Sequence, residues 1–361
     1  MSEAVFDIVI VGAGMAGASL GAELAQHADV LVLEAEERPG YHTTGRSAAF
    51  WTESYGGPGV HPLTSASGPA LQALGFLSPR QALTIGTSDQ AREIAAFARA
   101  YSALGIELHL VGRAELEERI GGLRSAWTHG VLEPSCCDID VAGLHQHYLA
   151  LLRAGRAQLW SRAALIRAER TGGEWLLELA DGREVRCAVL VNAAGAWADP
   201  VAQLAGASPK GIAPLRRTIA QLRVTPNLRA DLPLVLDVAG QFYFKPETGR
   251  LWLSPHDETP SIPCDAAPEE IDVAVAISRL EQVVDWRVDQ VEHRWAGLRS
   301  FAPDRLPVYG FDAQVPGFFW FAGQGGFGIQ TAPAAATLGA SLLLGHANGG
   351  IDAGPYLPSR F

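Results

Sequence analysis

The pattern of hydrophobic and polar positions in the first forty residues predicts a strand, a tight turn, a helix and a second strand. Residues 6–11 form a short apolar run rich in β-branched side chains, which is typical of a buried parallel strand. A glycine-rich stretch at 12–17 follows at once, and residues 18–27 show the small side chains and leucine spacing of a packed helix. A second apolar strand at 30–33 ends at Glu34. This order predicts two parallel strands joined by a crossover helix.

Further along the chain, alternating apolar and polar positions indicate strands, and helical spacing indicates helices. The predicted strands lie at 163–167, 174–179, 184–186, 187–192, 242–245, 251–253, 291–301 and 317–322. The predicted helices lie at 88–104, 113–120, 269–284 and 332–344. Hydroxyl side chains precede small helix formers at 41–49, which indicates one more helix start. Strands that alternate with helices predict an α/β fold.

Composition narrows the class of protein. A length of 361 residues predicts about two domains, and 48% apolar with 19% charged residues is typical of a folded chain with large cores. The net charge of −11, without a basic run, argues against nucleic-acid binding and against an anionic membrane surface. The longest uncharged stretch near the start, 8–22, has 15 residues, so we expect no integral membrane segment.

The cysteines and histidines carry no metal or disulfide pattern. None of the four cysteines belongs to a Cys-x-x-Cys pair, and the start of the chain is acidic, so we expect reduced thiols in a cytoplasmic protein. His145 and His147 lie two residues apart on an expected helix, where their side chains diverge, so we expect no metal site.

The glycines of the first turn have the spacing of a dinucleotide-binding site. Gly12 permits the tight turn, Gly14 lets the backbone approach a pyrophosphate, and Gly17 lets the helix pack against the strand. The start of the helix offers free N–H groups and the positive end of its dipole to phosphates. Glu34 lies 22 residues after Gly12, where it can accept hydrogen bonds from two ribose hydroxyls and repel the 2′-phosphate of NADP.

Five stretches together resemble the D-amino-acid oxidase superfamily of FAD enzymes, with bacterial D-arginine dehydrogenases as the most similar branch. These stretches are 12–34, 40–49, 189–197, 295–301 and 323–331. The resemblance covers essentially the whole chain, and its most specific motifs lie in the last two stretches.

The resemblance implies a Rossmann-like FAD-binding domain of the glutathione-reductase type and a second, α+β substrate domain that contains an antiparallel sheet. The FAD-binding domain would be discontinuous and consist of residues 1–75, 141–211 and 301–361. The substrate domain would consist of 76–140 and 212–300.

The resemblance also implies which residues hold the cofactor and the substrate. Cofactor contacts are expected from Gly12, Gly14, Gly17, Glu34, Thr44, Gly45, Arg46, Ser47, Ala49, Ala193, Gly195, Trp197, Gly326, Gly328, Ile329, Gln330 and Thr331. Contacts to the substrate are expected from Arg299, Tyr243, Arg216, Tyr55, Gly297 and Phe50. Among these, Arg299, Tyr243 and Arg216 would hold the carboxylate, Tyr55 would cover the pocket, and the Gly297 carbonyl would lie near the amine. We expect non-covalent FAD, because covalent relatives use a cysteine where 301–310 has none.

The implied reaction is the oxidative deamination of a small amino-acid substrate, a D-amino acid. A hydride passes from Cα to flavin N5, and the imino acid then hydrolyses to a 2-oxo acid and ammonia. The electron acceptor stays open among a quinone, a dye and O2.

The substrate side chain is where the sequence departs from the D-arginine branch. A guanidinium would require an acid, and residues 76–85 contain none. Phe50 stands where that branch has a histidine, and Phe327 stands where it has a tyrosine. We therefore expect neutral, apolar D-amino acids, unless Glu53 supplies the missing charge.

Three other functions stay open. The first is a flavin-dependent oxidase of secondary amines such as sarcosine, or of glycine. The second is a non-catalytic flavin-binding subunit, and the third is an NAD-linked reductase.

Overall fold

The computed structural model describes residues 4–347 and 349–361, and it forms an α/β structure with two large sheets. Its helices are α1 (Met15–Leu24), α2 (His61–Ala73), α3 (Ala91–Ser102), α4 (Arg113–Ile120), α5 (Val141–Ala154), α6 (Ala198–Leu204), α7 (Glu270–Val283) and α8 (Ala332–Leu344). Short 3-10 turns lie at Thr44–Arg46, Ser88–Gln90, Gly195–Trp197, Gly354–Tyr356 and Pro358–Arg360.

The strands are distributed along most of the chain. In chain order they are β1 (Ala4–Val11), β2 (Val30–Leu33), β3 (Phe50–Trp51), β4 (Leu77–Pro79), β5 (Ala82–Thr87), β6 (His109–Gly112), β7 (Trp127–Glu133), β8 (Cys137–Ile139), β9 (Ala157–Trp160), β10 (Leu165–Thr171), β11 (Glu174–Leu179), β12 (Glu184–Asn192), β13 (Ala213–Thr225), β14 (Leu234–Asp237), β15 (Tyr243–Glu247), β16 (Arg250–Ser254), β17 (Thr259–Pro260), β18 (Arg287–Phe301), β19 (Val308–Phe311), β20 (Phe318–Ala322) and β21 (Gln324–Gly325).

The first sheet has the order β10-β11-β12-β1-β2-β9, with β20 beside β12 and β19 beside β20. Its central strands β12, β1, β2 and β9 are parallel. Ile8 and Ile10 pack on one face with α1, α5 and α8, while Val9 and Val11 pack on the other with the β10–β11 meander and α6. Because both faces are covered, β1, β2 and the end of β12 are apolar runs, which is why the sequence predicted them as buried, whereas β9 was not predicted.

The second sheet has the order β21-β18-β13-β16-β15-β14-β5-β7-β6, and β17 also pairs with β13. Its longest ladder is the antiparallel pair of β13 and β18. Helix α7 packs on it, with Ala276 and Leu280 in a core shared with Phe244 and Leu253. Strand β21 follows β20 of the first sheet in the chain, but it pairs with Ser300 and Phe301 of β18. This pairing attaches the glycine-rich turn after β20 to the second sheet.

A small third sheet corrects the helix predicted from 41–49. Only Thr44–Arg46 forms a 3-10 turn, and Ser47 is extended, with φ −83° and ψ 142°. The chain then continues as β3, which pairs with β8, and β8 also pairs with β4. This long-range pairing overrides the local helix signal.

Helix α2 is absent from the predicted elements. Its buried face includes Thr64, Ser67 and Gly68 as well as leucines, so apolar residues do not mark that face in the sequence. By contrast, α4 and α8 have the predicted bounds. The four cysteines are free thiols, and no helix in the described part of the chain is long and apolar enough to cross a membrane.

Candidate functional site

A cavity of about 420 Å³ lies where the carboxyl ends of β1 and β2 meet strands β13, β15 and β18 of the second sheet. Ligands of open α/β sheets bind at such carboxyl ends. Most of the site residues expected from the sequence line this cavity, namely Gly12, Gly14, Glu34, Thr44, Arg46, Ser47, Ala193, Gly195, Trp197, Tyr243, Gly297, Arg299, Gly326, Gly328 and Ile329. The remaining expected residues lie behind its wall or on other faces.

Two glycines at the turn after β1 have no room for a side chain. Gly12 has φ +103°, and a Cβ on it would lie 2.5 Å from the carbonyl oxygen of Ala193. A Cβ on Gly17 would lie 1.9 Å from the carbonyl oxygen of Gly12, so the helix packs directly on the turn. Helix α1 starts after Gly14 without an acidic residue in its first turn. N–H groups of the first turn have no acceptor within the helix, and those not taken by Thr44 give the cavity an anion-binding end.

Glu34 lines the cavity at the end of β2 and is 8% exposed. Its Oε2 accepts a hydrogen bond from the Ala13 N–H at 3.1 Å, and its Oε1 accepts one from the Glu36 N–H at 3.0 Å. Burial raises the pKa of Glu34 above its usual range, although these two N–H groups oppose the rise. A carboxylate has about four acceptor sites, so capacity remains for ligand hydroxyls.

Two side chains hold the glycine turn from behind. The imidazole Nε2 of His145 lies 2.9 Å from the carbonyl oxygen of Ala13, to which it donates. Burial lowers the pKa of His145, and the hydrogen bond to Ala13 opposes this shift. Thr44 Oγ1 accepts a hydrogen bond from the Met15 N–H at 2.9 Å. The sequence interpretation left His145 without a role at this turn, because its partner is 132 residues away.

Five expected cofactor residues lie outside the cavity wall: Gly17, Gly45, Ala49, Gln330 and Thr331. A Cβ on Gly45 would lie 2.8 Å from the Gly40 carbonyl oxygen, so this glycine packs against backbone. The Gln330 amide donates to the Tyr55 carbonyl at 3.2 Å and to Thr64 Oγ1 at 2.9 Å. The Thr331 hydroxyl donates to the Phe327 carbonyl. These side chains shape the wall from behind.

Arg46 lines the cavity, but its guanidinium holds two parts of the protein together. Its Nη1 donates to the carbonyls of Ala266, at 2.7 Å, and Ala296, at 3.2 Å, and its Nη2 pairs with Asp265. The indole N–H of Trp295 donates back to the Arg46 carbonyl at 2.9 Å. Arg46 thus joins β18 to the loop before α7.

The register of β13 and β18 decides which arginines face the cavity. Arg217 pairs with Gly297, and Arg216 pairs with Leu298. Directly paired residues of an antiparallel ladder lie on the same face, so Arg217 shares its face with Gly297 and Arg299. Arg217 lines the cavity.

Arg216 was expected to hold the substrate carboxylate, but it does not line the cavity. Its side chain lies on the opposite face, where it pairs with Glu269 and with Asp272, the latter at 3.0 Å. A shift of one residue along a strand moves a side chain to the other face, and the sequence alone does not fix that register. The arginine that lines the cavity is its neighbour Arg217.

Arg217 is deeply buried, whereas Arg299 is partly buried. Arg217 is 3% exposed; its Nε donates to the Asp257 carbonyl at 2.7 Å and its Nη2 to Glu258 Oε1 at 3.2 Å. Its Nη1 is buried without a partner in the described part of the chain. Burial and the charge of Arg299 lower the pKa of Arg217. A buried cationic N–H without an acceptor is the group that an anionic ligand satisfies.

Arg299 is held by Tyr55, which was expected over the pocket. The Arg299 Nη1 donates to the Tyr55 hydroxyl at 2.8 Å. Burial raises the pKa of Tyr55, but the charges of Arg299 and Arg217 outweigh it and hold the pKa below its usual value. A Cβ on Gly326 would lie 2.7 Å from Nη1 of Arg299, so the glycine leaves space for this guanidinium.

An aromatic group surrounds the two arginines. The Phe50 ring lies 5.2 Å from the Tyr55 ring and 6.0 Å from the Tyr243 ring, and Phe327 lies 5.2 Å from Tyr55. Tyr55 and Phe50 do not line the cavity themselves, whereas Tyr243 does. Glu53 does not line the cavity, and its Oε1 lies 3.6 Å from Nε2 of His61.

His256 belongs to this group and was missed in the sequence. Its ring lies 5.7 Å from Tyr243 and 6.5 Å from Tyr55, and its Nδ1 lies 2.7 Å from the carbonyl oxygen of Gly240, to which it donates. Burial, followed by the charge of Arg217, lowers the pKa of His256 to about 3. His256 has φ +55°, a backbone conformation that leaves no periodic signal in the sequence.

Comparison with known proteins gives a match over nearly the whole chain. The profile of the family described as "FAD dependent oxidoreductase" matches residues 7–342. The FAD-dependent oxidoreductase domain-containing protein 1 of Mus musculus is 30% identical over 196 residues, which are 49% of this chain and 40% of that protein. The aligned part thus spans less than half the length of that relative.

A third similarity covers both chains. The hydrogen cyanide synthase subunit HcnC of Pseudomonas aeruginosa is 24% identical over 413 aligned positions, which include 99% of this chain and 96% of that one.

Solved structures share the fold over their full length. Glycine oxidase from Geobacillus kaustophilus superposes with a TM-score of 0.86 and 22% identity, covering 99% of both chains. L-Proline dehydrogenase from P. horikoshii superposes with a TM-score of 0.86 and 18% identity, covering 100% of this chain and 98% of that one. At such identities the similarity concerns the fold.

Proposed function

This chain belongs to the FAD-dependent oxidoreductase family, and on that premise we propose that it oxidises the amine-bearing carbon of free amino acids. The preferred substrates are neutral, apolar D-amino acids. The observation that carries this proposal is the pair of guanidiniums, Arg217 and Arg299, on one face of the second sheet beside the turn at 325–328.

The donor set of the cavity fits FAD, the cofactor of the family. The turn at Gly12 and Gly14 and the start of α1 would hold the pyrophosphate, and Glu34 the adenosine ribose. The glycines around Gly326 and Gly328 leave the backbone open at the other end of the cavity. When bound there, FAD supplies the acceptor for the two electrons and the hydrogen that leave the substrate Cα.

Arg217 and Arg299 would hold the substrate carboxylate between them. Nη1 of Arg217 lacks an acceptor in the described part of the chain, and a carboxylate oxygen would supply one. Arg299 keeps its orientation through Tyr55 at 2.8 Å. Two fixed guanidiniums define the direction in which Cα and the amine point, and this orientation is the protein's main contribution to such a reaction.

The same charges favour the reactive form of the amine. An ammonium cannot supply the electron pair that forms the imine, so the amine must lose its proton first. Nearby positive charges favour the neutral form of an amine. His256, with a pKa of about 3, adds no positive charge near neutral pH.

The wall near the arginines favours an apolar substrate side chain. Ala48, Ile219 and Tyr243 line this part, and Phe50 and Phe327 pack behind it. The acids among the described lining residues are Glu34 and Glu36, at the adenosine end. A cationic side chain such as that of D-arginine would meet two guanidiniums and no carboxylate.

A panel of substrates tests the proposal. We expect the purified protein to show a flavin spectrum and to bleach anaerobically fastest with D-leucine or D-alanine. A lead by D-arginine would contradict the apolar preference, a lead by L-leucine the D configuration, and a lead by sarcosine or glycine would favour the secondary-amine alternative. Reoxidation of the reduced flavin is then followed in air and, separately, with a quinone. The faster reaction identifies the class of electron acceptor.

Non-covalent binding of FAD is part of the proposal. The described lining residues include no cysteine, and Cys264 lies in the loop near Ser261, with Sγ 3.6 Å from that hydroxyl. Acid precipitation should release the flavin into the supernatant.

We also propose the domain division expected from the sequence. Strands of the first sheet fall in 1–75, 141–211 and 301–361, and those of the second fall in 76–140 and 212–300, apart from β21. This distribution supports two interleaved domains with the cavity between them.

A further inference from the structure

A buried carboxylate in the second sheet holds the segment that leads to Tyr55. Glu133 ends strand β7 and is 2% exposed. It lies outside the cavity wall, and nothing in the proposed reaction uses it.

The two oxygens of Glu133 accept hydrogen bonds from five uncharged donors. Oε2 accepts from the Thr52 hydroxyl at 2.6 Å, from the Ser54 N–H at 3.3 Å and from the Ser54 hydroxyl. Oε1 accepts from the Glu53 N–H at 2.8 Å and from the Ser135 hydroxyl at 3.2 Å. Four of the five donors belong to three consecutive residues, so one carboxylate fixes both the backbone and the side chains of 52–54.

The next residue along the chain is Tyr55, whose hydroxyl accepts from Arg299 at 2.8 Å. The segment is also held after Tyr55, since the Gly57 N–H donates to the Tyr101 hydroxyl at 3.2 Å. Gln330 holds the Tyr55 carbonyl at 3.2 Å. A continuous chain of contacts therefore runs from Glu133 through 52–54 and Tyr55 to the guanidinium that would hold the substrate.

We propose that Glu133 is a positioning residue for substrate binding, which acts by keeping Tyr55 on Arg299. This inference rests on the proposed function, in which Arg299 holds the carboxylate. A carboxylate suits the task because it has only acceptors, and all its neighbours in 52–54 are donors. An amide in the same place turns an N–H₂ group toward those donors and leaves at least one of them unpaired.

The expected consequence is a change in binding with little change in the chemical step. When 52–54 loosens, only a fraction of molecules keep Tyr55 on Arg299, and apparent affinity falls by that fraction. Bound substrate still reaches the same reacting atoms. Glu133→Gln should therefore raise the Kd for the substrate, measured from anaerobic flavin reduction, about five- to twentyfold. The limiting rate of flavin reduction should change less than about threefold.

The experiment is anaerobic stopped-flow reduction of the holoenzyme by the best substrate of the panel, combined with titration of the flavin spectrum by benzoate. Benzoate is a carboxylate without an amine, so it reports on binding alone. The variants are Glu133→Gln, Tyr55→Phe and the double variant. If Glu133 acts through Tyr55, the double variant should bind no more weakly than Tyr55→Phe, whereas independent effects would multiply.

Two further variants separate positioning from general destabilisation. Thr52→Val keeps the shape of the side chain and removes one donor, so it should show the same kind of Kd change at smaller size even if Glu133→Gln folds poorly. Asp312→Asn is the matched control. Asp312 is a buried carboxylate, 8% exposed, that accepts from Gln314, Val315 and Trp320 next to the first sheet. Its loss should lower stability and leave both Kd values unchanged.

The outcomes are distinguishable. Unchanged Kd values in Glu133→Gln and Thr52→Val, or fully multiplicative effects in the double variant, would overturn the positioning role. The proposed function would survive that result if Arg299→Lys still weakened benzoate and substrate binding. If Arg299→Lys changed neither, the carboxylate site itself would be wrong, whatever Glu133 does.

Discussion

The two ends of the cavity differ in how they would bind the proposed cofactor and substrate. At the adenosine end, Gly12 and Gly17 bring backbone so close together that a single methyl group collides with it. At the substrate end, Arg217 and Arg299 act through charge, and their surroundings are packed side chains. The adenosine end depends on close backbone packing, which even one added methyl group would disrupt. The substrate end depends on charge, and single substitutions there should weaken ligand binding gradually. Substitutions at the two ends should therefore fail in different ways.

The largest effect is expected at Gly17. Its Cβ in Gly17→Ala would lie 1.9 Å from the Gly12 carbonyl oxygen, and that atom is backbone, which cannot rotate away. We expect a loss of stability of about 3 kcal/mol or more and purification without flavin. Absorbance at the flavin bands and denaturant unfolding measure both.

Gly21→Ala in the same helix is the matched control. There the added Cβ would meet a methyl group of Leu152 at 2.9 Å and one of Val32 at 3.1 Å, and side chains can move. We expect flavin to be retained. If Gly17→Ala kept its flavin as well, the adenosine end would not depend on close backbone packing.

The strand, turn and helix at the adenosine end are also the elements that follow most directly from the sequence. The spacing of Gly12, Gly14 and Gly17 follows from local requirements of a turn and a helix start, so it appears in the sequence itself. At the other end, the choice between Arg216 and Arg217 depends on the register of β13 against β18, whose residues are about 80 positions apart. Glu133 and 52–54 are equally distant in sequence, and no local pattern marks their contact.

The second prediction concerns Arg299. In Arg299→Met the guanidinium disappears, while the apolar stem stays. The carboxylate then loses this cation, so binding of substrate and of benzoate should weaken by about 2–5 kcal/mol, or roughly 30- to 4,000-fold. The flavin spectrum should persist, because the adenosine end is untouched. Retained affinity, or a loss of flavin together with affinity, would remove the distinction between the two ends.

The third prediction compares two neighbours on one strand. Arg217→Met should weaken benzoate binding about 10- to 100-fold, because Nη1 of Arg217 is an unpaired buried donor at the cavity. Arg216→Met should change it less than about twofold, because Arg216 lies on the opposite face of the strand, where it pairs with Glu269 and Asp272. The reverse order would mean that the register of β13 and β18 is wrong by one residue.

The smallest effect is expected from the pH dependence of stability. The pKa of His256 falls from 6.5 to about 3 in the folded state, because of burial and of the charge of Arg217. Between these values the unfolded chain binds a proton that the folded chain does not, so stability decreases as the pH falls below 6.5. At pH 5 the decrease amounts to about 2 kcal/mol, and His256→Gln should abolish that part of it while the stability at pH 7 changes much less.

Denaturant unfolding at pH 5, 6 and 7 measures the difference, with His109→Gln as the control, since His109 has a side chain that is 52% exposed. Parallel pH curves for the wild type and His256→Gln would mean that the substrate end does not hold this ring neutral. The ends of the cavity would then be less different electrostatically than the two cavity arginines imply.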